Sequence, residues 1–305
     1  MRLLNASGCL DALAAPQVAR SLDAFVTKTV TPLPREGNEP VRIAEIEVGM
    51  LNAIGLANPG IDRFLEDHLP RLAALGVPVW VSVGGFSVAD YAAVCARLER
   101  QEEVAALELN LSCPNVDEVP ENIGEVVAAA RAVTSKPLYA KLSPAAADIA
   151  EGARAAAAGG ADGLSLVNTI RGLALDERSL RPVLARGAGG LSGPALRPIA
   201  LASVHACYPA STLPIVGMGG VASGRDALEL LAAGASDVAI GTALFADPGA
   251  VERIRAELAA ELAAGGFASA DNAIGAAHAA IDPTLDRGSR VVPKKPLHIG
   301  VNLSS

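Results

Sequence analysis

The feature that most constrains the fold is a repeated alternation of short apolar runs with Ala- and Leu-rich segments of helical length. Each apolar run ends at a small or polar residue, and the segment after it has apolar residues at helical spacing. Apolar strands that alternate with helices pair in parallel, because helices then cover both faces of the sheet. The predicted strands are residues 2–6, 24–29, 79–83, 105–110, 138–142, 163–167, 214–218 and 237–240.

The predicted helices are residues 11–22, 62–75, 88–101, 121–134, 146–158, 195–207, 223–233 and 251–264. About eight strand–helix units in roughly 250 residues predict an α/β protein with a (β/α)8 TIM barrel. A doubly wound open sheet is the alternative. The alternation ends near Phe267, so we predict a barrel domain over residues 1–267 and a C-terminal extension over residues 268–305. The long segments 30–61 and 170–194 are expected to be functional loops.

Composition narrows the class of protein. A chain of 305 residues with 51% hydrophobic content is long enough to bury one large core. The net charge of −8 argues against binding to nucleic acid, which usually requires a basic surface. Apolar runs stay short of the roughly 18 residues of a membrane helix, so a cytoplasmic location is expected. The cysteines Cys9, Cys95, Cys113 and Cys207 are widely spaced, which indicates a reducing compartment and no metal site.

The carboxyl ends of the predicted strands carry the candidate chemistry, because a barrel gathers its active site there. Lys28 and Lys141 lie at the ends of apolar strands, where a cation is costly without an anionic partner. A salt bridge in the core would explain one such lysine, whereas two at equivalent positions favour an anionic ligand. Gly219-Gly220 and Gly241-Thr242 follow the seventh and eighth strands, the usual phosphate position, and indicate a phosphorylated ligand such as FMN.

Neutral amides and one thiol surround the same predicted pocket. An amide matches both the N–H and the C=O edges of a pyrimidine-like ring, and the candidates are Asn52, Asn110, Asn115 and Asn168. Backbone N–H groups around Gly55 are candidates to receive a carboxylate. Cys113 stands in a loop just beyond a strand, ahead of Pro114, which favours a catalytic thiol over an inert buried one.

A series of motifs runs through nearly the whole chain in a fixed order. They are NASG (5–8), VTKT (26–29), REGN (35–38), GMLNAIGL (49–56), ELNLSCPN (108–115), AKLSP (140–144), VNT (167–169), GGLSGPALRP (189–198), GMGG (217–220) and IGTA (240–243). This set resembles the class 1 dihydroorotate dehydrogenases, flavoproteins that oxidise dihydroorotate to orotate in pyrimidine (UMP) biosynthesis. GMLNAIGL and GGLSGPALRP are similar to the NAD-linked class 1B catalytic subunit, whose members pair with a second subunit that carries FAD and a [2Fe–2S] cluster.

The resemblance implies a role for each matching residue. Cys113 would take the proton from carbon 5 of dihydroorotate, while hydride from carbon 6 passes to bound FMN. Lys141 would stabilise reduced FMN, and Lys28 would contact the substrate carboxylate. The remaining substrate residues would be Asn52, Ala53, Ile54, Gly55, Leu56, Asn110, Asn115, Asn168 and Thr169. The FMN would be lined by Ser7, Lys28, Thr29, Asn110, Lys141, Val167, Gly193, Gly219, Gly220, Gly241 and Thr242.

Several alternatives stay open at this point. A related flavin enzyme could act on dihydropyrimidines, a fumarate-linked class 1A homodimer could replace the NAD-linked form, and a non-redox barrel could bind a phosphorylated metabolite. The resemblance implies a homodimeric core that can join an iron–sulfur FAD subunit in a heterotetramer. Two departures from the NAD-linked relatives stand out: residues 116–124 form a shorter segment, and Ser82 replaces an asparagine near the flavin.

Overall fold

The computed structural model describes residues 1–111 and 122–279. In these ranges the strands are β1 (Leu3–Asn5), β2 (Phe25–Val26), β3 (Ile43–Ile46), β4 (Gly49–Asn52), β5 (Val79–Val83), β6 (Val104–Asn110), β7 (Leu138–Leu142), β8 (Gly163–Leu166), β9 (Ile170–Gly172), β10 (Gly189–Ser192), β11 (Ile215–Met218) and β12 (Asp237–Ile240). The helices are α1 (Pro16–Ser21), α2 (Gly60–Arg63), α3 (Leu69–Ala73), α4 (Val88–Glu99), α5 (Ile123–Arg131), α6 (Ile149–Ala158), α7 (Arg197–Cys207), α8 (Gly224–Ala233), α9 (Ala243–Ala246), α10 (Ala250–Ala264) and α11 (Ala270–Ala273).

Eight strands form one parallel sheet that closes on itself, which confirms the predicted barrel. Their order is β1-β12-β11-β8-β7-β6-β5-β2, and each strand of this sheet coincides with a predicted strand to within a few residues. The first and last strands of this order are joined by a single parallel bridge between Leu4 and Ala24.

The side chain of Asn5 completes this join between β1 and β2. Its Nδ2 donates to the carbonyl of Val26 at 2.8 Å, and its Oδ1 accepts from the N–H of Val26 at 2.8 Å. Asn5 is completely buried. The amide therefore acts like one more peptide unit in the ladder, because it supplies one donor and one acceptor as a backbone does.

Strand alternation fills the barrel interior with apolar side chains toward the amino ends of the strands. Trp80 and Tyr139 pack there with ring centroids 4.5 Å apart, surrounded by Leu4, Val26 and Val216. The guanidinium of Arg2 lies 4.9 Å from the Trp80 ring centroid. This layer is called the barrel floor below, and the opposite end, at the carboxyl ends of the strands, is called the barrel mouth.

The helices cover the outside of the barrel, and several begin at side-chain caps that the sequence supplies. Ser87 and Asp90 form a capping box at the start of α4, while Asp148 and Ser223 cap α6 and α8. The predicted helix at 62–75 is divided: a π-helical turn, Phe64–His68, separates α2 from α3. The aliphatic core lies between helices and barrel, consistent with outward-facing apolar residues on every strand.

The two long segments expected to be loops contain a second sheet that the sequence analysis did not predict. Its four strands run in the order β3-β4-β10-β9 with antiparallel pairing. Asn52 on β4 pairs with both Ile43 and Gly190. The sheet packs one face on a small cluster of Leu51, Ala53 and Leu184, and it stands beside the barrel mouth.

The described part of the C-terminal region packs on the barrel domain. Ala273 in α11 is completely buried, and a short 3-10 turn, Ala276–His278, contacts α8. The imidazole of His278 stacks on His205 with ring centroids 3.9 Å apart. The boundary predicted after Phe267 remains a prediction.

Candidate active site

A cavity of about 850 Å³ opens at the barrel mouth. It collects side chains and backbone from the carboxyl ends of seven of the eight barrel strands, all except β5, and from the second sheet. The predicted site residues that line it are Ser7, Lys28, Thr29, Asn52, Ile54, Gly55, Leu56, Asn110, Lys141, Val167, Asn168, Thr169, Gly193, Gly219, Gly220, Gly241 and Thr242. Residues far apart in the chain are therefore brought to one place, as the strand-end argument predicted.

Ala53 is the exception among the described candidates. Its side chain is buried in the cluster beneath the second sheet, away from the cavity wall. Its N–H donates to the carbonyl of Arg42 at 2.7 Å, so this group is already bonded within the protein. The structure thus gives Ala53 a packing role, and the backbone of Ile54, Gly55 and Leu56 forms the wall beside it.

Cys113 and Asn115 lie outside the described residues. The other three cysteines are free thiols. Burial raises the pKa of Cys9 to about 12, although the nearby cation of Lys141 acts in the opposite direction. Burial likewise raises the pKa of Cys95 and Cys207 to about 12. A thiol with so high a pKa is a poor base at neutral pH, so these three are unsuited to proton abstraction.

Lys141 projects from β7 into the base of the cavity and is almost fully buried. Its Nζ donates to Ser7 Oγ at 2.8 Å, and Glu108 Oε1 lies 3.5 Å from the same nitrogen. The core salt bridge weighed in the sequence analysis is therefore present at this lysine. Lys141 nevertheless lines the cavity, so its cation faces both the protein carboxylate and the space above it.

An uncharged hydrogen-bond network crosses the cavity wall from β2 to β8. Asn110 Nδ2 donates to Thr29 Oγ1 at 3.1 Å, and Asn168 Nδ2 donates to Asn110 Oδ1 at 3.0 Å. Thr29 Oγ1 is 3.0 Å from Ser82 Oγ, and Tyr91 donates to the Asn110 carbonyl at 2.7 Å. Asn168 Oδ1 also accepts from the Thr169 N–H at 2.9 Å. The network holds the amides in fixed orientations.

Glycines shape the end of the cavity at β10, β11 and β12. Gly219 and Gly220 have φ of +128° and +74°, and a Cβ on Gly220 would lie 2.7 Å from Arg197 Cβ at the start of α7. Gly193 has φ of +92°, and Thr242 Oγ1 donates to Ser192 Oγ at 2.9 Å. Only glycine allows the backbone to come this close to its neighbours. A backbone without side chains can present its N–H groups directly to an anion.

The segment 54–58 is held in a strained conformation beside the lysines. Gly55 has φ of +74°, and a Cβ there would lie 2.6 Å from Asn38 Oδ1. Leu56 also has a positive φ of 57°, which is unusual for a branched residue and is typical of ligand-contacting loops. Asn58 stabilises the turn: its Nδ2 donates to the Leu56 carbonyl at 2.7 Å and its Oδ1 accepts from Gly60 N–H at 2.9 Å.

Sequence reasoning missed several residues of this site. Asn58 and Glu108 were not selected, although Asn58 lies two residues after GMLNAIGL and Glu108 begins ELNLSCPN. Phe64, His68 and Arg71 extend the cavity wall from the π-helical turn and α3. Their only signal was the helical segment itself, whose irregularity the periodicity did not show.

Two kinds of feature are absent from the described ranges. Residues 1–111 and 122–279 contain no cluster of three or more His, Cys, Asp or Glu side chains arranged to hold a metal ion. None of the helices in the same ranges is both long enough and apolar enough to cross a membrane.

Comparison with known proteins gives the family of the chain. Residues 2–262 match the family model described as dihydroorotate dehydrogenase. A Desulforudis audaxviator protein named dihydroorotate dehydrogenase B (NAD(+)), catalytic subunit, is 46% identical over 264 residues, which cover 84% of this chain and 86% of the relative. Relatives of the same name from Geobacter metallireducens and Listeria monocytogenes are 45% and 44% identical, covering 84% and 81% of this chain and 86% and 84% of their own.

The fold has a counterpart among solved structures. The crystal structure of DHODH from Eimeria tenella in complex with ferulenol superposes with a TM-score of 0.77 at 24% identity, covering 91% of this chain and 85% of that one. This likeness supports the barrel alone, whereas the family match and the relatives extend along most of the sequence. The chain belongs to the dihydroorotate dehydrogenase family.

Proposed function

We propose that this chain is the catalytic subunit of an NAD-linked, FMN-dependent dihydroorotate dehydrogenase that oxidises dihydroorotate to orotate for pyrimidine biosynthesis. The observation that carries the proposal is the joint lining of one cavity by two lysines from barrel strand ends, a fixed pair of amides and a glycine wall. The names of the relatives, which extend over most of the chain, support the same reaction.

The residues present fit FMN. The cavity of about 850 Å³ lies within the range of roughly 300–1,000 Å³ that cofactor and ligand sites occupy. The glycine wall at Gly193, Gly219, Gly220 and Gly241 would hold the phosphate, and Lys141 would lie against the ring system. When bound, FMN supplies the acceptor for the hydride that leaves carbon 6 of the substrate.

The protein residues would divide the remaining tasks. Cys113 would remove the proton from carbon 5. Asn110 and Asn168 would hydrogen-bond the amide edges of the ring, together with Asn52, Asn115 and Thr169. Lys28 and the backbone of Ile54, Gly55 and Leu56 would contact the carboxylate.

The electron acceptor and the assembly are further parts of the proposal. The relatives are named catalytic subunits, which supports a partner subunit, and we propose that it carries FAD and a [2Fe–2S] cluster and passes electrons to NAD. The catalytic chains would form a homodimeric core within a heterotetramer. A reducing cytoplasmic location suits the three free cysteines of the described ranges.

Anaerobic reduction of the FMN-loaded chain by dihydroorotate tests the reaction. Flavin absorbance should bleach with dihydroorotate, whereas dihydrouracil, which lacks the carboxylate, should react far more slowly. Equal rates with both substrates would favour a dihydropyrimidine enzyme. A purified chain that binds no FMN would favour the non-redox barrel and contradict the proposal.

Two measurements test the acceptor. Turnover with fumarate alone, without a partner, would establish the fumarate-linked alternative. Isolation from the native cell should instead yield the chain together with an iron–sulfur flavoprotein, and NAD reduction should require that second subunit.

A further inference from the structure

Glu108 is a buried carboxylate that the proposed reaction does not use. It lies on β6, where it faces the barrel interior two residues before Asn110, and it is 1% exposed. Its Oε1 is 3.5 Å from Lys141 Nζ and accepts no hydrogen bond from any residue in the described ranges. A buried carboxylate is costly unless it is paired and hydrogen-bonded, so its retention beneath the cavity requires an explanation.

The contacts of Lys141 are divided between the carboxylate and the cavity. The short hydrogen bond of its Nζ goes to Ser7 Oγ at 2.8 Å, whereas Glu108 stands farther away at 3.5 Å. Ser7 itself lines the cavity. The ammonium is thus held at the cavity wall, with a negative charge behind it and the ligand space in front of it.

A charge behind the lysine changes what the lysine does to a ligand in front of it. A buried cation strongly stabilises negative charge that develops nearby, because the surroundings have a low dielectric constant. A carboxylate close to the same cation opposes that effect, since it attracts the ammonium away from the ligand. The net potential at the cavity wall is therefore set by the pair of side chains and not by Lys141 alone.

We propose that Glu108 is a positioning residue that acts through Lys141 to lower the reduction potential of the bound flavin. This inference rests on the proposed function, because it requires FMN beside Lys141. In a purely structural salt bridge Glu108 would hold Lys141 in place, and the flavin potential would not depend on the carboxylate charge.

The test is the midpoint potential of the FMN-loaded chain, measured by spectroelectrochemical titration. Glu108→Gln keeps the shape of the side chain and removes its charge, so the reduced flavin should be favoured at least tenfold more than in the unchanged protein. For a two-electron couple this is a rise of about 30 mV. An unchanged potential in this variant would overturn the inference.

A second background separates action through Lys141 from a general disturbance. In the Lys141→Met protein, removal of the Glu108 charge should shift the potential far less, because the residue through which it acts is gone. An equal shift with and without Lys141 would contradict the proposal. Sulfite affinity gives an independent readout, since the sulfite adduct of an oxidised flavin also carries negative charge, and Glu108→Gln should bind sulfite more tightly.

Ser165 provides the matched control. It is completely buried on β8, pairs in register with Lys141, and its Oγ also has no hydrogen-bond partner within the described ranges. Ser165→Ala removes a buried polar group without a change in charge and should leave the potential unchanged. A shift as large as that of Glu108→Gln would overturn the role of charge.

Glu108→Asp keeps the test decisive if the glutamine variant does not fold. It retains the charge but withdraws it by one methylene, so the potential should rise in the same direction by a smaller amount, and an unchanged or lower value would contradict the inference. Failure of the unchanged protein to bind FMN would instead refute the proposed function. The two failures are therefore distinguishable.

Discussion

The barrel floor and the barrel mouth are built from the same strands, yet their interiors differ in kind. On β7, Tyr139 packs against Trp80 at the floor, and Lys141 reaches the cavity only two residues later. On β6, the step from Ala106 to Glu108 makes the same change from apolar to charged. On both strands, the change from a packed apolar side chain to a charged one thus takes two residues, since side chains on one face recur every second residue.

This contrast separates two kinds of substitution. At the floor, side chains pack against one another, so a change there should lower the free energy of unfolding. The flavin chemistry of the molecules that remain folded should be intact. At the mouth, side chains are arranged around the cavity, so a change should alter binding or rate, with a smaller effect on folding unless it leaves a buried charge unpaired. Pairs of variants, one from each end, test whether the separation holds.

The largest effect is expected from Cys113→Ser at the mouth. Flavin reduction by dihydroorotate should slow by roughly 10²–10⁴-fold, because a serine hydroxyl is a much weaker base than a thiolate and general-base catalysis is worth about that factor. FMN affinity and thermal stability should stay unchanged. Stopped-flow absorbance under anaerobic conditions measures the rate, and near-normal reduction would remove Cys113 from the base role.

Trp80→Ala is the complementary change at the floor. Trp80 is 3% exposed and packs against Tyr139, so its loss should lower the free energy of unfolding by about 3–5 kcal/mol. Urea denaturation measures this loss. The rate of flavin reduction in the folded fraction should be unchanged, and a large drop in that rate would show that the two ends are coupled.

Lys141→Ala and Lys136→Ala compare two lysines near opposite ends of β7. Loss of Lys141 should slow flavin reduction at least tenfold or weaken FMN binding, and should cost about 3 kcal/mol because Glu108 is left buried without its partner. Lys136 donates to the Val104 carbonyl at 2.9 Å on the floor side, so its loss should cost about 1 kcal/mol and leave the flavin unaffected. A flavin absorbance titration and urea unfolding provide both numbers.

Two glycines with nearly the same backbone angle allow a finer comparison. Gly220 at the mouth and Gly76 after α3 have φ of +74° and +75°, but a Cβ on Gly220 meets Arg197 whereas one on Gly76 meets nothing within 4 Å. Either alanine variant should lose about 1–2 kcal/mol of stability through backbone strain, and Gly220→Ala should lose more because its Cβ also meets Arg197. Only Gly220→Ala should also weaken FMN binding, by about tenfold or more, as measured by fluorescence titration.

The smallest effect concerns pH at the floor side. Hydrogen bonds from Ser135 and then Thr134 lower the pKa of Glu99 from 4.5 to about 2. A carboxyl with a lowered pKa stabilises the fold above its unfolded pKa, and this contribution is lost as the pH falls toward 2. Glu99→Gln should therefore cost at most about 1 kcal/mol at pH 7, since the group is half-buried.

Urea unfolding at several pH values measures this dependence. The difference between the two proteins should shrink between pH 5 and pH 2, while flavin reduction at pH 7 stays unchanged. A difference that grows as the pH falls would show that another group dominates the acid stability of this region.

The barrel could be predicted from the sequence because each of its strands is locally recognisable. Val79–Val83 and Leu138–Leu142 are short runs of buried residues, each preceded by proline and followed by glycine or serine, and their observed bounds match the predicted ones. The strand-end rule then placed Lys28, Lys141 and the glycine pairs at one cavity, since parallel strands of a barrel bring their carboxyl ends together.

The second sheet could not be predicted because its strands carry little local signal. Gly49–Asn52 and Gly189–Ser192 are four residues long, rich in glycine and only partly buried. They pair with each other across more than half of the barrel sequence, as the Asn52–Gly190 contact shows. The π-helical turn Phe64–His68 was not predicted for a related reason, since one extra residue in a turn hardly changes the helical spacing.

Glu108 and Asn5 illustrate a different limit. Both sit inside recognisable motifs, but their roles depend on partners from other strands: Lys141 for the first and Val26 for the second. Periodicity predicts which face a side chain occupies and says nothing about which atoms it meets there.

The amide of Asn5 has a consequence for chemical substitution at that position. Two residues after it comes Ser7, which holds Lys141, and two residues after its partner Val26 comes Lys28. Aspartate would have the right shape but no hydrogen to offer the Val26 carbonyl, and leucine would have neither atom. The hydrogen-bond donor and acceptor of a side chain, rather than its volume, therefore decide whether it can replace Asn5. The join that Asn5 makes between β1 and β2 also sets the spacing of Lys28 and Lys141 above it.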